Sequence, residues 1–464
     1  MNKMKSTFPC CWIGCSLLTI VATAFSTGGQ GVFNVRDYGA KGDGNTLDTA
    51  AIQQAVNACS AAGGGQVRLP PGRYLSGTIR LHGNLTLWLD AGAMLTGATN
   101  LELYSGFTLT NREPRLATSR WHRGLLVAEN ADNITIAGHG VINGNKVFDP
   151  RGEERMRGPH TILLGHCKNF AIRDISIADA ANYAILFFFS DDIEVRNVKF
   201  TGGWDGVHFR GSPQRGCRNV SIIGCQFYTG DDSIAGSYWE NVLIQNCVIN
   251  SSCNGIRLIG PARGLLVQNC LFYGPGLHPH RTSNRTNMLA AINLQPSGWE
   301  PMPGALDDVL LSDLTIHNVT TPFHIVLKKG NSGGTIRINR VSASGIYRAA
   351  ASVENWGDLP LTNVVFRDVT MEFTGGGTAE QGRQPIRPPG VDARPLPAWA
   401  FYVRNVQQLV LDHVRVICEK PDMRPVMIAD SVGQLVFESF KFPSIDGVSQ
   451  PLVLTNTTKV VRRE

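Results

Sequence analysis

From about residue 133 one pattern recurs along the chain: asparagine or a substitute, then apolar, any, apolar, any, any, apolar, any, apolar. NITIAGHGV starts it at 133, and NFAIRDISI, DIEVRNVKF, NVSIIGCQF, NVLIQNCVI and GLLVQNCLF follow at 169, 192, 219, 241 and 264. It returns in DVLLSDLTI, TIRINRVSA, NVVFRDVTM, QLVLDHVRV and QLVFESFKF at 308, 335, 363, 408 and 434. Most steps are 22–28 residues, and two of 44 and 45 are each about twice that. Apolar residues alternate with period two and turn residues lie between the runs, so each unit is strands rather than helices. Repeats of this length cannot bury their apolar face alone and must stack. The expected fold is all-β, a single right-handed parallel β-helix.

The repeat phase gives the cysteines a place. Cys225, Cys247 and Cys270 share one inward position with Ile175, Val198, Leu314, Val369 and Phe440, which predicts a buried stack of small apolar groups rather than disulfides or metal ligands. The N-glycosylation motifs at Asn133 and Asn219 fall on the turn position, where stacked asparagines bonding along a ladder account for them. Before the ladder, residues 32–70 read strand, loop, helix, strand. Ile52, Ala55, Val56 and Cys59 form one helical face, with Asp48 near the N-cap and Gly63–Gly65 as the stop. A solenoid exposes the core of its first coil, so an amphipathic cap is needed there. The proline-rich stretch QPIRPPGVDARPLP (384–397) reads as a surface loop.

Residues 1–24 read as an export signal: Lys3 and Lys5 precede the apolar run Trp12–Ala22, and Ala22-Thr23-Ala24 offers small residues for cleavage. The expectation is a secreted or periplasmic monomer, with residues 25–464 as one domain and no membrane span. Basic residues exceed acidic ones by only 6, and no polybasic tract occurs beyond Arg462 and Arg463, so nucleic acid is not an expected partner.

Phase also places the acids. Asp205, Asp232 and Asn254 each lie 13 residues after a repeat start, so W-D-G-V-H-F, D-D-S-I-A-G and C-N-G-I-R-L should stack as one strand in successive coils. Parallel neighbours are about 4.8 Å apart, which makes Asp205 and Asp232 neighbours with Asp231 beside them. Three carboxylates so close cannot all ionise cheaply, the condition for one to act as acid and another as base. Asp191-Asp192 falls on the turn position and reads as a turn.

With these motifs in place the sequence resembles the polygalacturonases and relatives, glycoside hydrolase family 28. DYGAKGDG, DTAAIQQA, GGGQVRLPPGRYLSG, TLWLDAGAMLTGA, ITIAGHGVINGN, WDGVHF and GDDSIAG carry the resemblance, which covers roughly residues 32–300. It implies a hydrolase that cleaves glycosidic bonds with inversion, with Asp231 as the proton donor and Asp205 and Asp232 activating the water. Neighbouring-coil spacing alone would suggest retention; in the family pattern two acids share the base role. The family's Gly-His-Gly falls on Cys253-Asn254-Gly255, and its Arg-Ile-Lys, read without gaps, falls near Asn293-Leu294-Gln295. The histidine is therefore replaced by Asn254, and the two cations that bind the substrate carboxylate by Asn293 and Gln295. Arg257 and His208, read as equivalent places in adjacent coils, are the candidates to compensate; the expectation is a sugar other than plain polygalacturonate, or exo action on a pectin side chain.

In the loop 274–287, His278, His280 and Arg281 are candidates to wall the cleft, and Trp204, Tyr238 or Trp299 to stack on sugar. The expected partner is a pectic or related polysaccharide, with no metal and no cofactor. Two other readings remain open: a lyase in which the aspartates hold Ca²⁺ and Arg257 abstracts the proton, and a non-catalytic glycan-binding protein.

Overall fold

The computed structural model describes residues 31–107, 122–359 and 361–463; the expected export signal lies outside them. Strands dominate, and every strand pairing among the described residues is parallel except Ser105–Gly106 against Arg123–Gly124. Each coil hydrogen-bonds to the next, from Gly31–Asn34 through Gly65–Leu69, Leu85–Leu89 and Ile134–Gly138 onward, as a right-handed parallel β-helix. No helix among the described residues is long and apolar enough to cross a membrane.

The repeat's two turn positions explain its asparagines. Asn133, Asn169, Asp192, Asn219 and Asn241 sit at φ of 59°, 55°, 56°, 55° and 55°, the left-handed region that Asn and Asp enter more easily than other side chains. Their amides then stack: Asn169 Nδ2 donates to Asn133 Oδ1 at 2.8 Å, Asn219 Nδ2 to Asp192 Oδ1 at 2.8 Å, and Asn241 Nδ2 to Asn219 Oδ1 at 3.3 Å. Inside, Cys225, Cys247, Cys270 and Leu314 form one column by register, and the three thiols are buried and unpaired. Aromatic rings stack the same way, as in Phe187–Phe209–Trp239 with centroids 4.9 and 4.3 Å apart. Each fully buried Val, Leu or Ile contributes about 1.5–3 kcal/mol, so every added coil lengthens the core it rests on.

Helix α1, Thr49–Ala61, closes the N-terminal end with Ile52, Ala55, Val56 and Cys59 inward. Asp48 stands at its N-cap position, but its carboxylate accepts instead from Lys41 N at 2.7 Å and Gly42 N at 3.0 Å, holding the preceding loop.

The long steps of the ladder are not doubled coils. Leu265 pairs directly with Val309, and Val364 with Leu409, so the steps of 44 and 45 residues are single coils with long loops. The step from 133 to 169 is likewise one coil, since Ile134 pairs with Phe170. All three loops fold over the same part of the solenoid, described below. For the turn ladder, Asn219→Ala is expected to cost about 1–3 kcal/mol in urea unfolding, from the left-handed backbone and two lost amide bonds. Asn219→Gly should recover the backbone share alone.

Candidate active site

Strands Val207–Arg210, Ile234–Ser237 and Asn254–Leu258 lie side by side, with Val207, Ile234 and Ile256 in register and buried in the core. Two residues upstream, Asp205, Asp232 and Asn254 therefore stand in line: Gly206 N donates to Asp232 O at 3.0 Å and Ser233 N to Asn254 O at 3.1 Å. Asp231 is turned beside them by bonds to its own carbonyl from Thr229 Oγ1 at 2.8 Å and Ser251 Oγ at 2.7 Å. Gly230 permits that turn, because a Cβ there would lie 2.4 Å from the Gly203 carbonyl oxygen.

A buried guanidinium joins the acids. Arg157, only 5% exposed, comes from the loop in the 133–169 coil. Its Nη2 donates to Asp231 Oδ2 at 2.7 Å and Glu154 Oε1 at 2.6 Å, and its Nη1 stands 3.5 Å from Asp205 Oδ1. The plane rests 3.9 Å from the Trp204 ring centroid. His280 Nε2 lies 3.4 Å from Asp231 Oδ2.

These contacts separate the three carboxyls. Burial alone would raise Asp231, but His280 and Arg157 overcome it and hold the group well below the ordinary carboxylate range. Asp205 is pushed up by burial and then by the Asp231 charge; Asp232 is pushed up by burial, against the pull of Arg257. Without ligand, Asp231 is held towards the charged form, while Asp205 and Asp232 are shifted towards the protonated one. Burial, Arg210 and Arg157 keep His208 neutral. Its Nε2 accepts from Arg210 Nε at 2.9 Å, so Nδ1 carries the hydrogen and donates to Asp205 Oδ2 at 2.9 Å. Arg210 thus fixes the tautomer that orients Asp205.

The carboxyls line a cavity of about 400 Å³ walled by Glu153–Arg157, the His280–Arg285 loop, Trp299 and Asp392. A family model, "Rhamnogalacturonase A/epimerase, pectate lyase-like", matches residues 32–257. The exo-poly-alpha-D-galacturonosidase of Dickeya chrysanthemi is 27% identical over 264 residues, 46% of this chain and 43% of that protein. An exopolygalacturonase of Arabidopsis thaliana is 24% identical over 382 residues, covering 74% of this chain and 77% of its own. The solved family 28 exopolygalacturonase of Yersinia enterocolitica superposes with a TM-score of 0.56 at 16% identity, over 93% of this chain and 78% of that one. The chain is similar in sequence to polygalacturonases and shares its fold with a solved family 28 enzyme.

In this polygalacturonase-like chain the residues expected to grip substrate have separate fates. His208 and Arg257 do line the cavity, but with Ala235 in register between them, so they stand two coils apart rather than in adjacent ones. Asn254 lies behind the acids, where its N and Nδ2 both donate to Asp232 Oδ1, at 2.9 and 2.8 Å. Asn293 and Gln295 are buried under the proline-rich loop, bonded to Val391 O at 3.4 Å and Gly390 O at 2.6 Å. Trp204 is fully buried beneath Arg157 and offers no face to a sugar; Tyr238 packs on Ile259 and Met302. Trp299, 63% exposed, is the aromatic ring on the rim. Among the loop candidates His280 reaches the acids, whereas His278 and Arg281 are not in the cavity lining.

Sequence reading missed Arg157, Glu154, Arg285 and Asp392, which come from loops with no place in the repeat phase. Arg157→Met leaves the acid cluster without its nearest cation, at an expected cost of about 3–5 kcal/mol near neutral pH. The sign follows from Asp231: its lowered carboxyl gives stability that is present above about pH 4 and lost as pH falls through its folded value. Thermal unfolding of wild type and variant should therefore converge as the pH drops below about 4.

Proposed function

We propose that the chain is a secreted glycoside hydrolase that cleaves a pectic or related polysaccharide with inversion. The observation that carries the reading is the set of three buried carboxyls, held in one cavity and shifted in opposite directions, Asp231 down and Asp205 and Asp232 up. The relatives' names speak of polygalacturonate, and the replaced cations argue for a different sugar in this chain.

Asp231 is the proposed proton donor, as the resemblance implies. In the free protein it is ionised against Arg157, whose guanidinium stands between Asp231 and Asp205 at 2.7 and 3.5 Å. A sugar that draws the guanidinium towards Asp205 and His280 off Asp231 raises Asp231 and lowers Asp205, so that Asp231 takes up the proton. Asp231 then protonates the glycosidic oxygen as the bond to the anomeric carbon breaks. Water attacks that carbon from the opposite face and gives its proton to Asp205, aided by Asp232. Oxygen atoms of Asp231 and Asp232 lie within 4.8 Å, too close to bracket a sugar and a water at the roughly 6.5–9.5 Å of inverting pairs. Asp232 is therefore not the sole base to Asp231, and Asp205 is the proposed one.

The donor set speaks against the calcium-dependent alternative. Asp231 and Asp232 cluster with the Cys253 sulfur, a soft ligand poorly suited to a hard cation. Arg157 and Arg257 already supply positive charge to the same acids.

A glycosyl fluoride tests the roles, since fluoride leaves without protonation. Asp231→Asn should lower kcat on the polysaccharide by about 10²–10⁴-fold and spare hydrolysis of the fluoride, while Asp205→Asn should lose both. The reverse pattern would exchange the roles, and no loss of reducing-end release in Asp231→Asn would remove Asp231 as the acid.

A further inference from the structure

The wall beside Asp232 bears on which sugar enters the cavity. Arg257 Nη1 lies 3.6 Å from Asp232 Oδ2, while Nη2 donates to Val391 O at 2.9 Å and stands 3.2 Å from Asp392 Oδ1. Trp299 covers the guanidinium, with the ring centroid 5.1 Å away. The Arg257 charge is thus met on two sides by the chain's own carboxylates. Asp392 is held in place by its neighbours: Gly390 O accepts from Gln295 Nε2 at 2.6 Å, and Arg394 forks onto the buried Glu354 with both bonds at 2.8 Å.

The other arginines of the cavity are engaged as well. Arg157 holds Asp231 and Glu154, Arg210 holds His208, and Arg285 donates to Ser252 O and Cys253 Sγ, both at 3.0 Å. Seven Asp and Glu residues face four Arg in the lining. A carboxylate-bearing ring would enter surplus negative charge and would have to displace Asp392 to reach Arg257. An uncharged ring meets neither cost.

We propose that Asp392 takes, from within the chain, the place on Arg257 that a sugar carboxylate would occupy, so that the cavity selects an uncharged ring over a uronate. The proposal rests on the glycoside hydrolase reading only in taking the cavity's ligand to be a sugar. The probe is a galacturonate disaccharide joined through sulfur, which resists hydrolysis, prepared as free acid and as methyl ester. Calorimetry near neutral pH on the wild-type chain should find the ester bound about tenfold or more tightly than the acid. Asp392→Asn should close most of that gap by strengthening binding of the acid. Equal or tighter binding of the acid by wild type, an unchanged ratio in Asp392→Asn, or binding of neither form overturns the proposal. No bond is broken in this experiment, so a chain that binds the ester selectively yet cleaves no glycan would end the hydrolase reading and leave this one standing. A chain that hydrolyses polygalacturonate and prefers the acid would do the opposite.

Discussion

The site exists because parallel backbone pairing fixes register from coil to coil. Each coil can bond to its neighbour only with apolar columns aligned, because a slip of one residue would turn Val207, Ile234 and Ile256 out of the core. That constraint, satisfied for packing, also determines what stands two residues upstream. Asp205 and Asp232 are held as neighbours by the cost of misplacing the valine and isoleucines beyond them. Arg157, paired with Asp231 and 3.5 Å from Asp205, offsets part of the repulsion among the three acids.

What was legible in the sequence was whatever the repeat phase governs. The cysteine column, the left-handed asparagine ladder, the capping helix and the alignment of Asp205, Asp232 and Asn254 all follow from period two and coil length. The walls of the cavity were not legible by phase, because loops have none. Arg157 is 74 residues before Asp231 and nothing local marks it as a partner. A coarser signal was present: the steps of 36, 44 and 45 residues exceed a coil, and each surplus forms one wall of the cavity. The 44- and 45-residue steps are about twice a coil in length, so length alone does not tell a loop from an extra coil. Trp204 shows the opposite error, since an aromatic beside a catalytic acid suggests a sugar platform. Here it supports a guanidinium from below.

Electrostatics divides the labour between scaffold and loops. The scaffold supplies the acids, whose burial would by itself drive all three towards the protonated form. The loops supply Arg157 and His280, which select Asp231 as the ionised member. The acids come from strands fixed by the core; their protonation states come from segments that can change without disturbing it.

The proline-rich loop carries a mechanical consequence. In an ideal solenoid each coil touches only its neighbours, so unfolding can start at an end and proceed coil by coil. Gly390–Asp392 reaches back from the coil of Ser352, the one before Tyr402, past those of His324 and Asn293 to Arg257. Arg394 fastens the same loop to Glu354. The loop is a staple laid along the axis, spanning about 14 Å at one coil per 4.8 Å. Coils that would otherwise fray in sequence are bound into one cooperative block, and that block includes the coil behind Asp232.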